Sequence, residues 1–240
     1  MIFKFNLFTL INTAYIIYKK DTMMQNEFIN VRNEKIAEKT IQALQKRLFE
    51  AYYAKTSDDV LKKTIELIPK SDVVSWGGAT SAVQAGVIDS VIKNGYSVIN
   101  RDNAKNPEEK TQMLRQALLC DTYIMGSNAI SMDGQLVNID AIGNRVSALM
   151  FGPKQVIIIS SVKKIMPTLE DAIKRARTYA APVNMQRIAK ITGAKTPCTI
   201  TGSCADCISP DSICSNIVIT RLCNPKGRIK IILTTEDIGF

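Results

Sequence analysis

A continuous apolar run near the middle of the chain constrains the fold more than any other feature. Gln155 is followed by Val156, Ile157, Ile158 and Ile159, with no polar residue between them. A strand without polar alternation is typically buried on both faces, as the inner strands of a parallel sheet between helices are. The run therefore predicts an internal strand of a sheet that is covered on both sides.

Strand patterns alternate with helical patterns before this run. Residues 72–76, 96–100 and 121–126 have the composition of strands, and helical patterns begin between them at Thr80 and Asn106. Helices that follow strands in this way connect parallel neighbours of one sheet. The alternation predicts a layered α/β domain with a mainly parallel sheet.

The remaining patterns fit the same domain. Apolar residues at helical spacing cover 34–53, and the Asp133-Gly134 pair between two apolar segments predicts a hairpin turn. Two final strands are predicted at 216–220 and 228–235. We expect residues 23–240 to form a single α/β domain that ends in these strands.

Residues 1–22 are predicted to be an upstream extension of doubtful structure. Residues 1–18 are apolar enough to suggest a signal peptide or a membrane anchor, but polar residues interrupt them and no small-residue cleavage site follows. Met23 and Met24 offer a second start just before a well-patterned helix. We therefore expect a cytoplasmic protein that does not bind a membrane, unless residues 1–18 are a real anchor, and cysteines that are not paired in disulfides.

Composition excludes several classes of function. The chain has 31 Lys and Arg against 22 Asp and Glu, a net charge of +9, but no basic run is interleaved with aromatic residues. We expect no nucleic-acid partner, whereas a small anionic metabolite is compatible with this charge. The absence of histidine excludes a Ser-His-Asp triad, a Cys-His dyad and a histidine-containing zinc site. Any transition-metal site would therefore be made of thiolates.

Four of the six cysteines lie in one short segment, Pro197–Cys214, which we call the cysteine loop. Cys198, Cys204, Cys207 and Cys214 have the spacing C-x5-C-x2-C-x6-C, which matches neither the paired C-x2-C of zinc ribbons nor the regular run of ferredoxins. We expect a shared metal site that holds either a zinc ion or an iron–sulfur cluster. A redox dithiol and buried structural thiols are the alternatives.

A glycine-rich turn follows the first predicted strand of the alternation. It consists of Gly77, Gly78, Ala79, Thr80 and Ser81, and a helix begins within it. Two glycines let the backbone approach a ligand closely, and the free N–H groups and hydroxyls at a helix start can bind an anion. An ordinary strand-to-helix turn has the same composition. The pattern is neither a dinucleotide fingerprint nor a P-loop.

A second polar segment follows the strand at 121–126. It contains Asn128, Asp140, Asn144 and Arg145, and Arg145 could bind a carboxylate or a phosphate through two hydrogen bonds. Asparagine and aspartate at these positions could equally cap a hairpin and a helix. The residue pattern alone favours this purely structural role.

The order of several unusual blocks resembles the LUD-domain (lactate-utilisation) family over roughly 27–240. The blocks include Asn128-Ala129-Ile130, Asn138-Ile139-Asp140, Gly143-Asn144-Arg145, Lys164, the cysteine loop and the terminal Glu236-Asp237-Ile238-Gly239-Phe240. The resemblance implies the NagB/RpiA/CoA-transferase-like fold, a three-layer domain related to the Rossmann fold. It places the four-cysteine arrangement between the last helix and the last strands.

The resemblance also implies function. Family members act with iron–sulfur partner proteins in oxidising L-lactate, a 2-hydroxy acid, to pyruvate, so we expect this domain to bind a small anion in such a system. One alternative is a free-standing enzyme acting on a phosphorylated or acyl substrate, with Asp140 as acid–base group, Arg145 and Lys164 as anion clamps and Gly77–Ser81 as cradle. The other is a non-catalytic sensor or scaffold whose four cysteines hold a structural metal. Whether the chain is itself an enzyme stays open.

Overall fold

The computed structural model describes the backbone of residues 7–240 and the side chains of residues 27–240. Its helices, in chain order, are α1 (Leu7–Lys46), α2 (Ser57–Leu67), α3 (Thr80–Gln84), α4 (Val87–Lys93), α5 (Pro107–Gln116), α6 (Asn144–Met150), α7 (Leu169–Arg175), α8 (Ala181–Thr192) and α9 (Pro197–Thr201). Its strands are β1 (Glu50–Ala54), β2 (Val73–Trp76), β3 (Ser97–Ile99), β4 (Thr122–Met125), β5 (Ala129–Ser131), β6 (Leu136–Asp140), β7 (Gln155–Ser161), β8 (Ile165–Met166), β9 (Asn216–Thr220) and β10 (Ile229–Thr234).

The apolar run forms β7, an inner strand of a six-stranded sheet in the order β1-β10-β7-β4-β2-β3. All neighbouring strands of this sheet are parallel. Residues 156–159 are completely buried, because β10 and β4 pair with the two sides of β7 and helices cover both faces. The prediction of an internal strand is confirmed.

Successive side chains of β7 point to opposite faces of the sheet and join two apolar cores. Ile158 packs in one core with residues of α1 and α6, whereas Ile157 and Ile159 pack in the other with residues of α2, α3 and α4. The sheet is thus the middle of three layers. This arrangement confirms the predicted Rossmann-related, three-layer α/β fold with a mainly parallel sheet.

Four other strands form a smaller sheet in the order β8-β5-β6-β9. In the chain these strands fall between β4 and β10 of the large sheet, and they carry part of the candidate site. β5 and β6 pair antiparallel across the Asp133-Gly134 turn, which confirms the predicted hairpin. Ala172 and Ala176 pack on this sheet in a third apolar cluster. The cysteine loop connects α8 to β9, the edge strand of the small sheet.

The helix predicted over 34–53 ends earlier than expected. Helix α1 stops at Lys46, Leu48 adopts a left-handed conformation with a φ of 66°, and β1 begins at Glu50. Residues 50–54 pair in parallel with residues 230–234 of β10. The prediction of helix beyond Lys46 was wrong because pairing at the edge of the sheet outweighs a local apolar spacing.

The predicted upstream extension lies mostly outside the described side chains. Helix α1 includes the backbone of residues 7–22, and residues 1–6 lie outside the described residues. Between residues 7 and 240, no helix is both long and apolar enough to cross a membrane.

Arg228 connects the last strand to the end of α6, and its replacement tests this connection. Its guanidinium donates hydrogen bonds to the carbonyls of Pro153 (3.0 Å), Leu149 (2.7 Å) and Ala148 (2.8 Å). The last two carbonyls have no partner within the helix. Arg228→Met should lower the free energy of unfolding by about 2–4 kcal/mol in urea denaturation, because partly buried acceptors lose their donors.

The matched control is Arg115→Met on the exposed face of α5, which removes the same charge. We expect it to change the free energy of unfolding by less than about 0.5 kcal/mol. Equal losses in the two variants would contradict the role assigned to Arg228.

Candidate functional site

The candidate site lies where strands of the large sheet end. β3 lies on one side of β2 and β4 on the other, so the chain changes its direction of winding at β2. In open α/β sheets, ligands bind in the crevice outside the carboxyl ends of the strands at such a point. Here the turn after β2 meets the turn after β4, because Gly126 N–H donates to the carbonyl oxygen of Gly78 at 3.1 Å.

A cavity of about 50 Å³ opens at this crevice, and we call it the anion pocket. Six of the nine residues predicted to bind a ligand line it: Gly78, Thr80, Ser81, Asn128, Arg145 and Lys164. They come from three separate segments, at 78–81, 128–145 and 164, which the parallel sheet brings to one edge. The fold therefore collects the two predicted polar segments and the predicted lysine around one cavity.

The guanidinium of Arg145 is held on one side and unpaired on the other. Its Nε donates to Asp140 Oδ2 at 2.9 Å, and its Nη2 donates to the carbonyl oxygen of Ile139. Among residues 27–240, Nη1 has no hydrogen-bond partner, and the group lies so close to Gly78 that an added Cβ there would collide with it. Arg145 is thus oriented by Asp140 with one nitrogen left to bind a ligand.

Lys164 is buried at the back of the pocket, with only 3% of its surface exposed. Its Nζ donates one hydrogen bond, to Ser81 Oγ at 3.2 Å, and no carboxylate within residues 27–240 pairs with it. An ammonium has three donors, so two of them lack a partner among these residues. Burial, followed by the charges of Arg175, Lys163 and Arg145, lowers the pKa of Lys164 to about 7.

Two further arginines add to the positive charge. Arg175 is buried and donates from Nη1 to the carbonyl oxygen of Asn128 at 2.6 Å, and burial lowers its pKa. Arg187 lies at the exposed mouth of the pocket, where Asn184 Oδ1 accepts hydrogen bonds from its Nε and Nη2 at 3.0 and 2.9 Å. The pocket therefore combines several cations with no aspartate or glutamate side chain in its lining.

Glycine is required at the close approaches around Lys164. Gly239 has a φ of 69°, and an added Cβ there would collide with Lys164 Nζ and Ser81 Oγ. Its N–H donates to Gln84 Oε1 at 2.6 Å. The backbone at 238–240 thus closes over the lysine, and Phe240 completes the lining of the pocket.

The other predicted residues lie around the pocket rather than in its lining. Gly77 is buried against the Tyr123 hydroxyl, Ala79 precedes α3, and Asn144 begins α6. Asp140, the predicted acid–base group, accepts from Arg145 and from Gly143 N–H at 3.1 Å. Its carboxylate is occupied by these bonds, which favours a role in positioning Arg145.

Several lining residues were missed in the sequence. Asn184 and Arg187 come from α8, which carried no pattern that distinguishes a ligand-binding helix from a surface helix. Gly126 and Ser127 begin the polar segment after β4 that the sequence predicted as a pocket wall, but only Asn128 of these three was predicted to bind the ligand.

The cysteine loop forms a separate place in the structure. Cys198, Cys204, Cys207 and Cys214 all line one cavity of about 80 Å³ beside α8. No cysteine of the chain is paired in a disulfide. Among the described residues, no group of three or more cysteine, aspartate or glutamate side chains already stands in position to hold a metal ion. Although Cys214 is exposed as a residue, partial desolvation of its thiol, followed by the charges of Cys204, Cys198 and Cys207, raises its pKa, while a hydrogen bond with Ser212 opposes this shift.

Comparison with protein families now identifies the chain. The model of the LUD domain matches residues 37–234, which include the large sheet, the cysteine loop and all of the anion pocket except Phe240. The chain belongs to the LUD domain family. The predicted resemblance is confirmed, and membership makes this LUD protein a lactate-utilisation-related protein at the level of the family.

Solved structures also resemble this LUD protein. A DUF162 family protein from Deinococcus radiodurans is 11% identical, with a TM-score of 0.47 over 84% of this chain and 98% of that chain. The delta subunit of eIF2B from Chaetomium thermophilum is 16% identical, with a TM-score of 0.30 over 45% of this chain and 48% of that chain. No curated protein matches the chain.

The buried ammonium gives the LUD protein a specific pH dependence. The pKa of Lys164 is about 7 in the folded state, whereas an unperturbed lysine has a pKa of 10.5. The unfolded chain therefore binds more protons between these two pH values. Stability should therefore rise with pH from about 7 to 9, by up to about 1.4 kcal/mol per pH unit from this residue. Lys164→Met should remove that slope in denaturation measured across the range.

The control for this pH profile is Lys110→Met, which removes an exposed lysine from α5. Its profile should run parallel to that of the unchanged protein. A Lys164→Met profile that is also parallel would show that the buried lysine does not titrate in this range.

Proposed function

We propose that this LUD protein binds the carboxylate of a small 2-hydroxy or 2-oxo acid in the anion pocket. It would do so as a component of an iron–sulfur-linked system that oxidises L-lactate to pyruvate. The observation that carries the proposal is the burial of Lys164 beside Arg145 without a carboxylate partner among residues 27–240. The reaction class comes from the family, and the ligand class comes from the pocket.

Charge is the first support for this ligand class. A buried ammonium that lacks a counterion is costly, and a bound anion removes that cost. A carboxylate could accept from Lys164 Nζ and from the unpaired Nη1 of Arg145, and charge-assisted bonds of this kind are the strong ones. Ser81 Oγ and Thr80 at the start of α3 offer further donors. A cationic or neutral apolar ligand would gain none of this.

Size is the second support. A cavity of about 50 Å³ has room for only a few water molecules or a ligand of a few heavy atoms. Lactate and pyruvate fall in this range. A CoA ester or a sugar phosphate would need a much larger opening, so the pocket favours the small acid over the substrates of a free-standing transferase-like enzyme.

The protonation of Lys164 gives this side chain two states near neutral pH. In the charged form it would bind the carboxylate. In the neutral form it could accept the hydroxyl proton of a 2-hydroxy acid as that acid is oxidised, because a base with a pKa near the working pH is effective. Oxidation also removes the hydrogen on C2, which would leave as a second proton to solvent, while the two electrons would pass to the iron–sulfur partner proteins of the system.

Gly78→Ala tests the pocket directly. An added Cβ at Gly78 would displace the Arg145 guanidinium, so a charge-assisted hydrogen bond to the ligand would be lost. We expect the affinity for L-lactate or pyruvate, measured by calorimetric titration, to fall at least about tenfold.

Gly86→Ala is the matched control for this variant. Gly86 has a φ of 71°, close to the 57° of Gly78, but nothing lies within 4 Å of its added Cβ. Both variants therefore carry similar backbone strain, and only Gly78→Ala should lose the ligand. Unchanged binding by Gly78→Ala would contradict the assignment of the pocket.

The place of the protein in lactate oxidation is tested genetically. Deletion of its gene should abolish growth on L-lactate but leave growth on pyruvate intact, because only the oxidation step is removed. Complementation with the Gly86→Ala form should restore growth, and the Gly78→Ala form should not. Normal growth of the deletion strain on L-lactate would count against the proposal.

A further inference from the structure

The cysteine loop is ordered without a core of its own. Residues 197–215 contain one helical turn, α9, and no strand, and none of their side chains is buried. By contrast, the helices α1, α2, α3, α4 and α6 all bury apolar side chains in the two cores of the large sheet. Segments that cannot bury apolar surface are typically held by disulfides or by metal ions, and no disulfide is present here.

Most of the contacts that join the loop to neighbouring segments are exposed. Gln186 Nε2 donates to the carbonyl oxygen of Cys198 at 2.7 Å, and Lys195 N–H donates to Asp211 Oδ2 at 2.8 Å. Arg177 and Asp206 form an ion pair. Exposed contacts of these kinds contribute about 1 kcal/mol or less each, whereas ordering one residue costs about 1–2 kcal/mol. Another interaction is needed to hold the loop.

The exposure of the thiols separates this loop from the other cysteines. Free cysteine is among the most buried residue types, and Cys120 and Cys223 follow that rule. Cys204 and Cys214 are exposed instead, and Cys198 and Cys207 are only partly buried. All four nevertheless line the same small cavity. Packing does not explain this arrangement, but a shared ligand would.

We propose that Cys198, Cys204, Cys207 and Cys214 bind one tetrahedral, thiophilic metal ion of the Zn²⁺ type. Four thiolates form the usual closed ligand set of a structural zinc site. Each thiol would release its proton to solvent on binding, and the net charge of −2 on the centre would face Arg177 in the cavity wall. No three of the thiols already stand in ligating positions, so binding must draw the loop closed, and no buried side chain resists that movement.

Cobalt titration tests the proposal on the full chain. The protein is purified anaerobically with reductant and titrated with Co²⁺, whose thiolate charge-transfer and tetrahedral ligand-field bands report on this geometry. We expect one Co²⁺ per chain and stoichiometric displacement by Zn²⁺. Cys207→Ser and Cys204→Ser should lose these bands, whereas Cys120→Ala, which alters a buried cysteine that does not line this cavity, should keep them.

Alkylation provides a readout that does not depend on the variants folding. Iodoacetamide should modify all four thiols of the unchanged protein without metal, and mass spectrometry should find them protected once one equivalent of Zn²⁺ is bound. The proposal is overturned if metal protects none of them, or if a folded Cys204→Ser/Cys207→Ser variant binds Co²⁺ unchanged. Iron bound with acid-labile sulfide at these cysteines would also overturn the single-ion centre.

Discussion

The positive charge of Lys164, buried without a carboxylate partner among residues 27–240, is the constraint on which the candidate site depends. The large sheet places it: β7 ends at Ser161 and a short turn carries Lys164 under the start of α3. Folding leaves the ammonium with a single hydrogen bond, and its depressed pKa is the measure of that cost. The neighbouring Arg145 forms its ion pair with Asp140, which does not line the pocket. This ion pair therefore does not fill the space beside Lys164.

Much of this site could be predicted from the sequence, because its parts are local. The glycine turn after β2 and the polar segment after β4 each follow a strand that is recognisable by composition, and parallel strands bring such turns to one edge. Arg187 could not be found in this way. It reaches the pocket from α8, which is distant in the chain, and an exposed arginine on an amphipathic helix has no distinguishing pattern.

The boundary between α1 and β1 was mispredicted for a related reason. The spacing of the apolar residues at 34–53 continues past Lys46 as if the helix did, but Tyr52 and Tyr53 belong to an edge strand that pairs with β10. That pairing joins residues about 180 positions apart in the chain, as between Glu50 and Lys230. The spacing of residues within 34–53 cannot reveal this distant pairing. The run of β7, in contrast, consists of four consecutive apolar residues, and this local composition is enough to identify a buried strand.

Helix α8 connects the two sites. Asn184 and Arg187 line the anion pocket, while Pro182 and Met185 line the cavity of the cysteine loop. A π-helical turn at Ala176–Ala180 precedes α8, in keeping with Pro182, which has no N–H to continue the regular ladder. The position of Arg187 therefore depends on how α8 is held, and Gln186 of this helix donates a hydrogen bond to the carbonyl oxygen of Cys198 in the loop. A metal that closes the loop would fix the mouth of the anion pocket without contacting its ligand.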